Sequence, residues 1–516
     1  MTSSGESRDS TQDALRGAVK VRPDHVRGTI SPLMYGHFVE HFPKCVYGGY
    51  YDPGSPFADE HGLRKDVLEA VRRVKPGIMR WPGGNYASAY HWRNGIGDKR
   101  ARPITYDPVW MVEETHQFGT AEFMDLCRKT EVEPYICLNL GTGTIDEAMQ
   151  WVEYCNLDGD TEYARLRKQH GHVKPFNVKY WGLGNEVYGP WQMNTMDATS
   201  YGKIALQYTK AIKWVDPGVK IVAVAVQHTD WQTELLRQIR DPIIVGNSRV
   251  PCVDYVSIHA YFVSEPVSFY ETMLAADHVE EQTQLLRSAI HAAYGSRDHQ
   301  PLIAWDEWNF YLWSHYERAG ENYRNEVYDL KNALFTASVL NSFIRNCDIV
   351  GMANYSPFVN IRGAIFADGP AFLLRPQYHV FDLYANHAGQ RAIETTVESD
   401  TFSVTAPLVS RVLLNSKPGK VLDAAATVND DGKELFLSIV NRHESKAIPC
   451  AIDLGDARVS NQATIFSINA ASPTDSNSLN AADRVTLKQS TASLGSPSLT
   501  HTLPAHSVTA FLFKME

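Results

Sequence analysis

The stretch W-G-L-G-N-E-V-Y-G-P-W, residues 181–191, contains the element around which the chain is organised. Its apolar start predicts a buried strand, and the strand is followed at once by an amide and a carboxylate, Asn185 and Glu186. A second stretch, P-L-I-A-W-D-E-W-N at 301–309, repeats this order and places Glu307 after an apolar run. Ionisable side chains at strand ends often carry chemistry. Taken alone, either glutamate is equally well explained as a structural carboxylate that caps a loop or pairs with an arginine.

Eight short apolar runs follow one another between residues 34 and 355, and each ends near Gly, Asn, His or Glu. The runs are M-Y-G-H-F-V-E, G-I-M-R-W-P-G-G-N, P-Y-I-C-L-N-L-G-T-G, V-K-Y-W-G-L-G-N-E, K-I-V-A-V-A-V-Q, Y-V-S-I-H-A-Y, L-I-A-W-D-E and D-I-V-G-M-A-N-Y. Segments between them carry apolar residues at helical spacing. This alternation predicts a (β/α)8 TIM barrel over residues 30–390, with reactive groups at the C-terminal strand ends. The rival doubly wound sheet would show G-x-G-x-x-G after its first strand, and the sequence has none there.

The sequence pattern changes after residue 390. Short alternating runs such as E-L-F-L-S-I-V-N and S-V-T-A-F-L-F, joined by turns such as N-D-D-G, predict a β-sandwich over residues 391–516. A strand within 18–29 precedes the barrel and is expected to join this sandwich. The polar segment 1–17 is expected to be disordered.

Composition limits the possible functions. The chain has 516 residues, 44% hydrophobic and 21% charged, as expected for a globular protein of more than one domain. Its formal charge of -10 disfavours nucleic acids and anionic membranes as partners. No apolar run in the first twenty residues predicts a signal peptide, and none elsewhere has membrane-spanning length, so we expect a cytoplasmic protein. Seven scattered cysteines without C-x-x-C argue against a disulfide framework or a zinc ribbon.

The two glutamates suggest glycoside hydrolysis. If Glu186 ends the fourth strand and Glu307 the seventh, both project into the barrel mouth. One carboxyl group would protonate the leaving oxygen, and the other would attack the sugar or activate water. A carbohydrate-binding protein without catalytic activity remains an alternative. Tryptophans that offer stacking faces to a sugar, although Trp more often packs in a core, are Trp181, Trp191, Trp308 and Trp313.

Further polar groups are expected at the same end of the barrel. His259 and Tyr261, two residues apart, lie on one face of the sixth strand. A Tyr hydroxyl can orient a nucleophilic carboxylate, although a buried His–Tyr pair is also plausible. The turn at 82–84 brings Asn85 close to a ligand, and a simple loop turn explains its glycines equally well.

A competing motif lies in the first strand. The segment 37–41 reads H-x-x-E-H, the inverzincin signature, which would make the protein a zinc metallopeptidase. Prolines and glycines on both sides of the segment argue against the helix that this signature needs. We therefore interpret Glu40 as a polar group at the end of the first strand and expect no metal.

These motifs as a set resemble the intracellular α-L-arabinofuranosidases of glycoside hydrolase family 51, from about residue 19 to the C-terminus. The segments that carry the resemblance are H-F-V-E-H, R-W-P-G-G-N-Y-A-S-A-Y-H-W, G-T-A-E-F-M, W-G-L-G-N-E-x-x-G-P-W-Q, S-I-H-A-Y, W-D-E-W-N and L-P-A-H-S-V. The resemblance implies a retaining exo-hydrolase that removes terminal arabinofuranosyl groups from arabinoxylan, arabinan or their oligosaccharides. It makes Glu186 the acid/base and Glu307 the nucleophile, requires no cofactor, and implies a homo-oligomer, often a hexamer. The sugar-binding roles that it implies fall on Glu40, Asn85, Asn185, His259 and Tyr261.

Two departures from the family pattern bear on specificity. Many relatives read G-N-E-M-D-G-P-W where this chain has Val187-Tyr188 on the leaving-group side. Many also place a Gln after the eighth strand, where this chain has Pro357, leaving Asn354 or Tyr355 as possible substitutes. The runner-up function is therefore an endo-β-glycanase, a glucanase or xylanase, on the same scaffold.

Overall fold

The computed structural model describes residues 15–42, 44–263, 267–311, 326–404, 408–409, 412–413, 417–493 and 498–516. Two sequence predictions concern residues outside these ranges. They are the disorder predicted for 1–17, except for its last three residues, and the stacking role suggested for Trp313.

Eight parallel strands form a closed barrel, so the predicted (β/α)8 fold is confirmed. In chain order the barrel strands are Gly36–Phe38, Ile78–Trp81, Glu133–Cys137, Tyr180–Leu183, Lys220–Val224, Tyr255–Val263, Leu302–Tyr311 and Val350–Tyr355. Each strand pairs with the next, and the eighth pairs with the first through Asn354 opposite Gly36 and Tyr355 opposite His37. All eight arise from the apolar runs identified in the sequence.

Helices alternate with the barrel strands and cover the barrel. In the described residues they are Lys65–Arg73, Thr120–Thr130, Ile145–Asn156, Glu162–Gln169, Ala198–Val215, Thr229–Ile239, Phe269–Tyr294, Leu330–Arg345 and Pro376–His387, with 3-10 turns at Pro32–Tyr35, Asn85–Ser88, Trp92–Gly95 and Lys99–Ala101. Their apolar spacing buries one face, as in Lys65–Arg73, where Val67, Leu68 and Val71 face the core. Side-chain caps fix several starts: Ser268 caps Phe269–Tyr294 by accepting from the backbone N–H of Glu271. Among the described helices, none is long and apolar enough to cross a membrane.

The C-terminal part of the chain forms a nine-stranded sheet together with the N-terminal strand. In spatial order its strands are Leu487–Ser493, Val459–Ile468, Ser507–Met515, Glu434–Asn441, Leu422–Val428, Arg391–Ser399, Gly17–Thr29, Ile448–Asp453 and Ser498–Leu503. Ala463, near one edge, and Ile452, near the other, belong to one buried cluster. The sheet therefore curls over its own core as a sandwich.

Short two-stranded ribbons occupy the loops. They are Thr105–Asp107 with Val112–Glu114, Ile243–Val245 with Ser248–Val250, Ile365–Asp368 with Ala371–Leu374, Thr401–Phe402 with Gly419–Lys420, and Leu408–Val409 with Val412–Leu413.

The sheet packs directly on the barrel. Phe436 and Val440 of the sheet belong to the same buried cluster as the barrel core. Asn341 and Arg345, on the helix after the seventh strand, both bind the carboxylate of Asp423 at 2.7 and 2.8 Å. Apolar contact and buried polar bonds together fix the position of the sheet relative to the barrel.

Candidate active site

Glu186 lies three residues beyond the fourth barrel strand, in a tight turn. Its backbone is left-handed, with φ of 41°, and its carbonyl accepts a 2.7 Å hydrogen bond from the N–H of Gly189. Three side chains converge on its carboxylate: His259 Nδ1 lies 3.0 Å and the Tyr188 hydroxyl 3.3 Å from Oε1, and Trp191 Nε1 lies 2.8 Å from Oε2. The strained turn and these partners fix the orientation of the carboxylate.

Glu307 belongs to the seventh strand and is held differently. The Arg80 guanidinium donates to its Oε1 at 2.6 Å, and the Tyr261 hydroxyl donates to its Oε2 at 2.6 Å. Its side chain is only 7% exposed. These two short hydrogen bonds fix both oxygens of the Glu307 carboxylate.

The two glutamates face one another, as the sequence predicted. Ligand atoms of Glu186, His259 and Glu307 all lie within 4.8 Å of one another. The C-terminal ends of the fourth, sixth and seventh strands therefore bring two carboxylates to one point in the barrel mouth.

Asp306 also faces the barrel interior, although side chains alternate along a strand and its neighbour Glu307 faces the site. The pairing explains this arrangement: from Trp305 to Trp308 the seventh strand advances three residues, while its partner advances two, from Ala353 to Tyr355. This β-bulge directs two consecutive carboxylates to the same side.

The carboxylate of Asp306 links several residues beneath the site. It accepts from Tyr135 Oη at 2.8 Å and from Ser257 Oγ at 2.5 Å. It also lies 3.1 Å from His259 Nε2 and 3.4 Å from Arg80 Nε. The sequence reasoning did not select Asp306 or Arg80, although each is a charge within an apolar strand pattern, which is a usable signal.

Glu40 and the glycine turn meet at the end of the second strand. Glu40 Oε1 accepts from the backbone N–H of Gly84 at 3.1 Å and of Tyr86 at 3.0 Å. A Cβ on Gly83 would lie 2.3 Å from Glu40 Cγ, and one on Gly84 would lie 2.7 Å from Glu307 Oε1. Both glycines are therefore required by the close approach of carboxylates to the backbone.

The two asparagines complete the cluster. Asn185 Oδ1 accepts from Arg80 Nη2 at 2.8 Å, and its Nδ2 donates to Asn85 Oδ1 at 3.2 Å. Gln192 Nε2 also donates to Asn85. All seven predicted site residues, Glu40, Asn85, Asn185, Glu186, His259, Tyr261 and Glu307, are thus connected within one network.

The charges of this cluster shift one another's pKa values. Burial alone would lower the pKa of His259, but the charges of Glu307, Glu186 and Asp306 raise it to about 10. Burial raises the pKa of Glu40 to about 8, and repulsion from Glu307 adds to the effect. Burial also favours the neutral form of Glu186, but the hydrogen bond and positive charge of His259 outweigh it and hold the pKa of Glu186 below its ordinary value. In the free site, His259 is therefore an imidazolium beside an ionised Glu186.

Of the three described tryptophans that were expected to stack on a sugar, two are buried and only one is exposed. Trp181 is 0% and Trp308 is 1% exposed, so both pack in the core and the suggestion that they stack on sugar is wrong. Trp191 is 60% exposed and borders Glu186. Residue type alone could not separate these cases, because Trp serves equally as core filler and as a binding surface.

The H-x-x-E-H residues do not form a metal site. His37 lies in the first barrel strand and stacks on Phe358, while His41 Nδ1 binds Glu114 at 3.0 Å. Glu40, between them, points to the glycine turn. Without a helix the two histidines do not converge, so the metallopeptidase interpretation fails on geometry.

One cluster among the described residues does have metal-ligand spacing, namely Glu186, His259 and Glu307. A protonated His259 has no free lone pair for a cation, and Arg80 already places positive charge 2.6 Å from Glu307. The donor set therefore does not favour a resident metal ion.

The exit of the eighth strand supplies an unexpected group. Asn354 donates to the carbonyl of His37 at 3.0 Å, and Tyr355 packs edge-on against Trp308, so neither reaches the site. Ser356 does, because its hydroxyl hydrogen-bonds the Tyr261 hydroxyl. Ser356, which the sequence analysis did not consider, is therefore the residue of this segment that joins the hydrogen-bond network of the site.

Comparison with known proteins identifies the family of this chain. Family models described as the α-L-arabinofuranosidase 1 domain and the α-L-arabinofuranosidase C-terminal domain match residues 70–281 and 306–507. The α-L-arabinofuranosidase C of Emericella nidulans is 35% identical over 503 residues, covering 96% of this chain and 97% of the relative. The intracellular exo-α-(1→5)-L-arabinofuranosidase of Halalkalibacterium halodurans is 30% identical over 452 residues, covering 83% and 85%.

A solved structure extends the similarity to the whole fold. The thermostable GH51 α-L-arabinofuranosidase from Thermotoga petrophila is 38% identical, with a TM-score of 0.87 over 97% of this chain and 100% of that chain. With both domains and the whole chain covered, the protein belongs to the α-L-arabinofuranosidases of glycoside hydrolase family 51.

Proposed function

We propose that the protein is a retaining exo-α-L-arabinofuranosidase with Glu307 as nucleophile and Glu186 as acid/base. The observation that carries the proposal is the approach of carboxylate oxygens of Glu186 and Glu307 to within 4.8 Å. Retaining glycosidases hold their two carboxyl groups about 5–5.5 Å apart, whereas inverting ones leave about 6.5–9.5 Å for a water molecule. The arrangement supports direct attack on the sugar.

In the first step Glu307 attacks the anomeric carbon and the bond from that carbon to the leaving oxygen breaks. Glu186 gives its proton to that oxygen, so the leaving group departs as a neutral alcohol. Arg80 and Tyr261 hold the carboxylate of Glu307 in a fixed orientation before the attack. In the second step Glu186 takes a proton from water, which displaces Glu307 and restores both carboxyl groups.

The acid role requires a proton on Glu186, although its pKa in the free site lies below the ordinary value. The carboxylate is 13% exposed, so a bound sugar would remove its remaining water and raise its pKa. Once Glu307 is esterified, its negative charge beside Glu186 disappears. The ionised form of Glu186 is then favoured, as its role as a base requires.

The sugar-binding roles proposed for the remaining residues fit their chemistry. Asn85, Asn185 and Glu40 offer amide and carboxyl groups beside Glu307 to the hydroxyls of a small furanose ring. His259 and Tyr261 touch the two catalytic carboxylates. These groups are supported by one network, which suits a pocket for a single terminal sugar.

The proposed substrates are arabinoxylan, arabinan and their oligosaccharides, and the alternative is an endo-β-glycanase. The relative from Halalkalibacterium halodurans is named as exo-acting on α-(1→5) linkages, which supports the exo mode. Rates of nitrophenol release from a panel of nitrophenyl glycosides distinguish the arabinofuranosidase from the endo-β-glycanase. Release from the arabinofuranoside supports the proposal, and preference for the cellobioside or the xyloside contradicts it.

Azide rescue tests the two roles. Glu186→Ala should still react with an activated aryl arabinofuranoside, whose leaving group needs no proton, and should stall at the covalent intermediate. Azide should relieve the stall and give the arabinofuranosyl azide of retained configuration. Glu307→Ala should lose almost all turnover, and azide there should give the inverted product. Release of the inverted sugar by the wild type, or an identical azide response of both variants, would contradict the assignment.

Location and assembly are further proposals. The Halalkalibacterium halodurans relative is named intracellular, which supports the expected cytoplasmic location. We propose a hexamer on the basis of the family resemblance alone. Cell fractionation tests the cytoplasmic location, and light scattering of the purified protein measures the number of subunits.

A further inference from the structure

Tyr188 lies two residues after the glutamate that we assign as acid/base, and its hydroxyl reaches the carboxylate of that glutamate. Its hydroxyl lies 3.3 Å from Glu186 Oε1. Hydrogen bonds of catalytic groups are often long in free sites and shorten when substrate binds. The Tyr188 phenol is a neutral hydrogen-bond donor to this carboxylate.

Packing holds the Tyr188 ring in place. The ring lies edge-on to Trp191 at 6.3 Å and to Trp231 at 6.1 Å between ring centroids. Trp231 in turn stacks on Tyr201 at 5.9 Å. The Tyr188 hydroxyl is thus positioned by a side chain that packs edge-on against two tryptophans.

The two oxygens of Glu186 are occupied unequally. Oε1 receives both His259 and Tyr188, so two donors fill the two lone pairs of that oxygen. Among the residues that the structure describes, only Trp191 donates to Oε2, which leaves one lone pair of that oxygen available. Trp191 is 60% exposed, so Oε2 lies on the open side of the site, where a leaving group would be.

We infer that Tyr188 is a positioning residue: together with His259 it holds Oε1 and so directs Oε2, the proton-carrying oxygen, to the leaving group. This inference rests on the proposed function, because it needs Glu186 as the acid/base. The burial of Tyr188 beside Glu186 raises the pKa of its phenol, so the hydroxyl remains a donor at every working pH.

The consequence concerns leaving groups. An aryl leaving group of low pKa departs without a proton, whereas an alkyl or sugar leaving group needs one. If Tyr188 positions the acid, Tyr188→Phe should reduce kcat/KM about tenfold for an alkyl arabinofuranoside and leave kcat/KM for the dinitrophenyl arabinofuranoside nearly unchanged. A purely structural role would reduce both equally.

The pH profile gives a second readout. A donor to the ionised carboxylate lowers its pKa, so removal of the Tyr188 hydroxyl should raise the pKa of Glu186. Because the alkaline limb of kcat/KM reports the acid of the free enzyme, that limb should move to higher pH by about half a unit in Tyr188→Phe.

The experiment measures both readouts on the wild type, on Tyr188→Phe and on Tyr208→Phe, which removes a buried phenol from the helix Ala198–Val215. The Tyr208 variant should match the wild type in both readouts. Equal loss on both leaving groups, or an unmoved alkaline limb, would overturn the inference. Azide rescue of Glu186→Ala is measured in parallel. If azide does not rescue this variant, the proposed function is wrong. If azide does rescue it, the Tyr188→Phe result tests the role of Tyr188 alone.

Discussion

Asp306 should support both stability and catalysis, and Asp306→Asn separates these contributions. Asparagine keeps the size and one carbonyl oxygen but removes the charge that faces Arg80 and His259. The pKa of Asp306 is lowered from 3.8 to about 2, because Arg80 and the hydrogen bond from His259 outweigh burial. At about 1.4 kcal/mol per pH unit, that difference corresponds to about 2–3 kcal/mol of folding free energy.

The sign of the pH dependence follows from the lowered pKa. The stabilisation by Asp306 is present above the unfolded pKa near 3.8 and is lost as pH falls towards 2. The variant should therefore unfold more easily than the wild type at pH 7, by a few degrees in Tm. The difference should shrink when melting is measured near pH 3.

Asp306→Asn should reduce kcat/KM by more than the loss of folding stability alone would explain. Without the charge of Asp306, His259 and Arg80 each lose one of the contacts that orient them towards Glu186 and Glu307. A displacement of catalytic groups by about 1 Å costs on the order of a hundredfold in rate. We expect kcat/KM on nitrophenyl arabinofuranoside to fall by about that factor in Asp306→Asn.

Asp254→Asn is the matched control, since Asp254 is also a buried carboxylate with cationic partners. It lies at the other end of the barrel, where Lys213 and Lys220 approach its oxygens at 3.2 and 2.8 Å. Its loss should lower Tm and leave kcat/KM unchanged. Wild-type kcat/KM in Asp306→Asn, or an equal loss of kcat/KM in Asp254→Asn, would refute the reasoning.

Two further predictions concern metal and architecture. Activity should survive EDTA, because the proposed chemistry uses carboxyl groups and His259 is protonated in the free site; loss on chelation with recovery on zinc would contradict this. A chain that ends at about residue 390 should aggregate, because it exposes the barrel surface under Phe436 and Val440 and removes the sheet partners of Gly17–Thr29. A soluble, fully active truncation would show instead that the sheet is an independent module.

The local pattern of apolar residues in the sequence was sufficient to predict the barrel and the C-terminal sandwich. Each barrel strand is a short apolar run, and each neighbouring helix has apolar residues at helical spacing, so hydrophobic periodicity reports them directly. The same logic placed Glu186 and Glu307 in the barrel mouth, because strand ends of a barrel share one face. The distance of at most 4.8 Å between their carboxylate oxygens came only from the structure, because the turn at Glu186 and its partners set it.

Tertiary structure alone decided that Arg80 and Asp306 also join the site. Arg80 and Asp306 are charges inside strands, and a pattern that looks for apolar runs treats such residues as exceptions. Only the bulge in the seventh strand, which depends on pairing with both neighbours, turns Asp306 to the same side as Glu307.

The sequence also did not predict which tryptophan side chains are exposed. Trp181 and Trp191 stand ten residues apart in one motif, yet one is 0% and the other 60% exposed. The difference arises because Trp181 belongs to a strand covered by helices, whereas Trp191 follows a turn at the open end of the barrel. The amino-acid sequence determines which groups are available for chemistry, and the three-dimensional packing of distant segments determines which of them meet, because pairing register and burial are properties of contacts between segments.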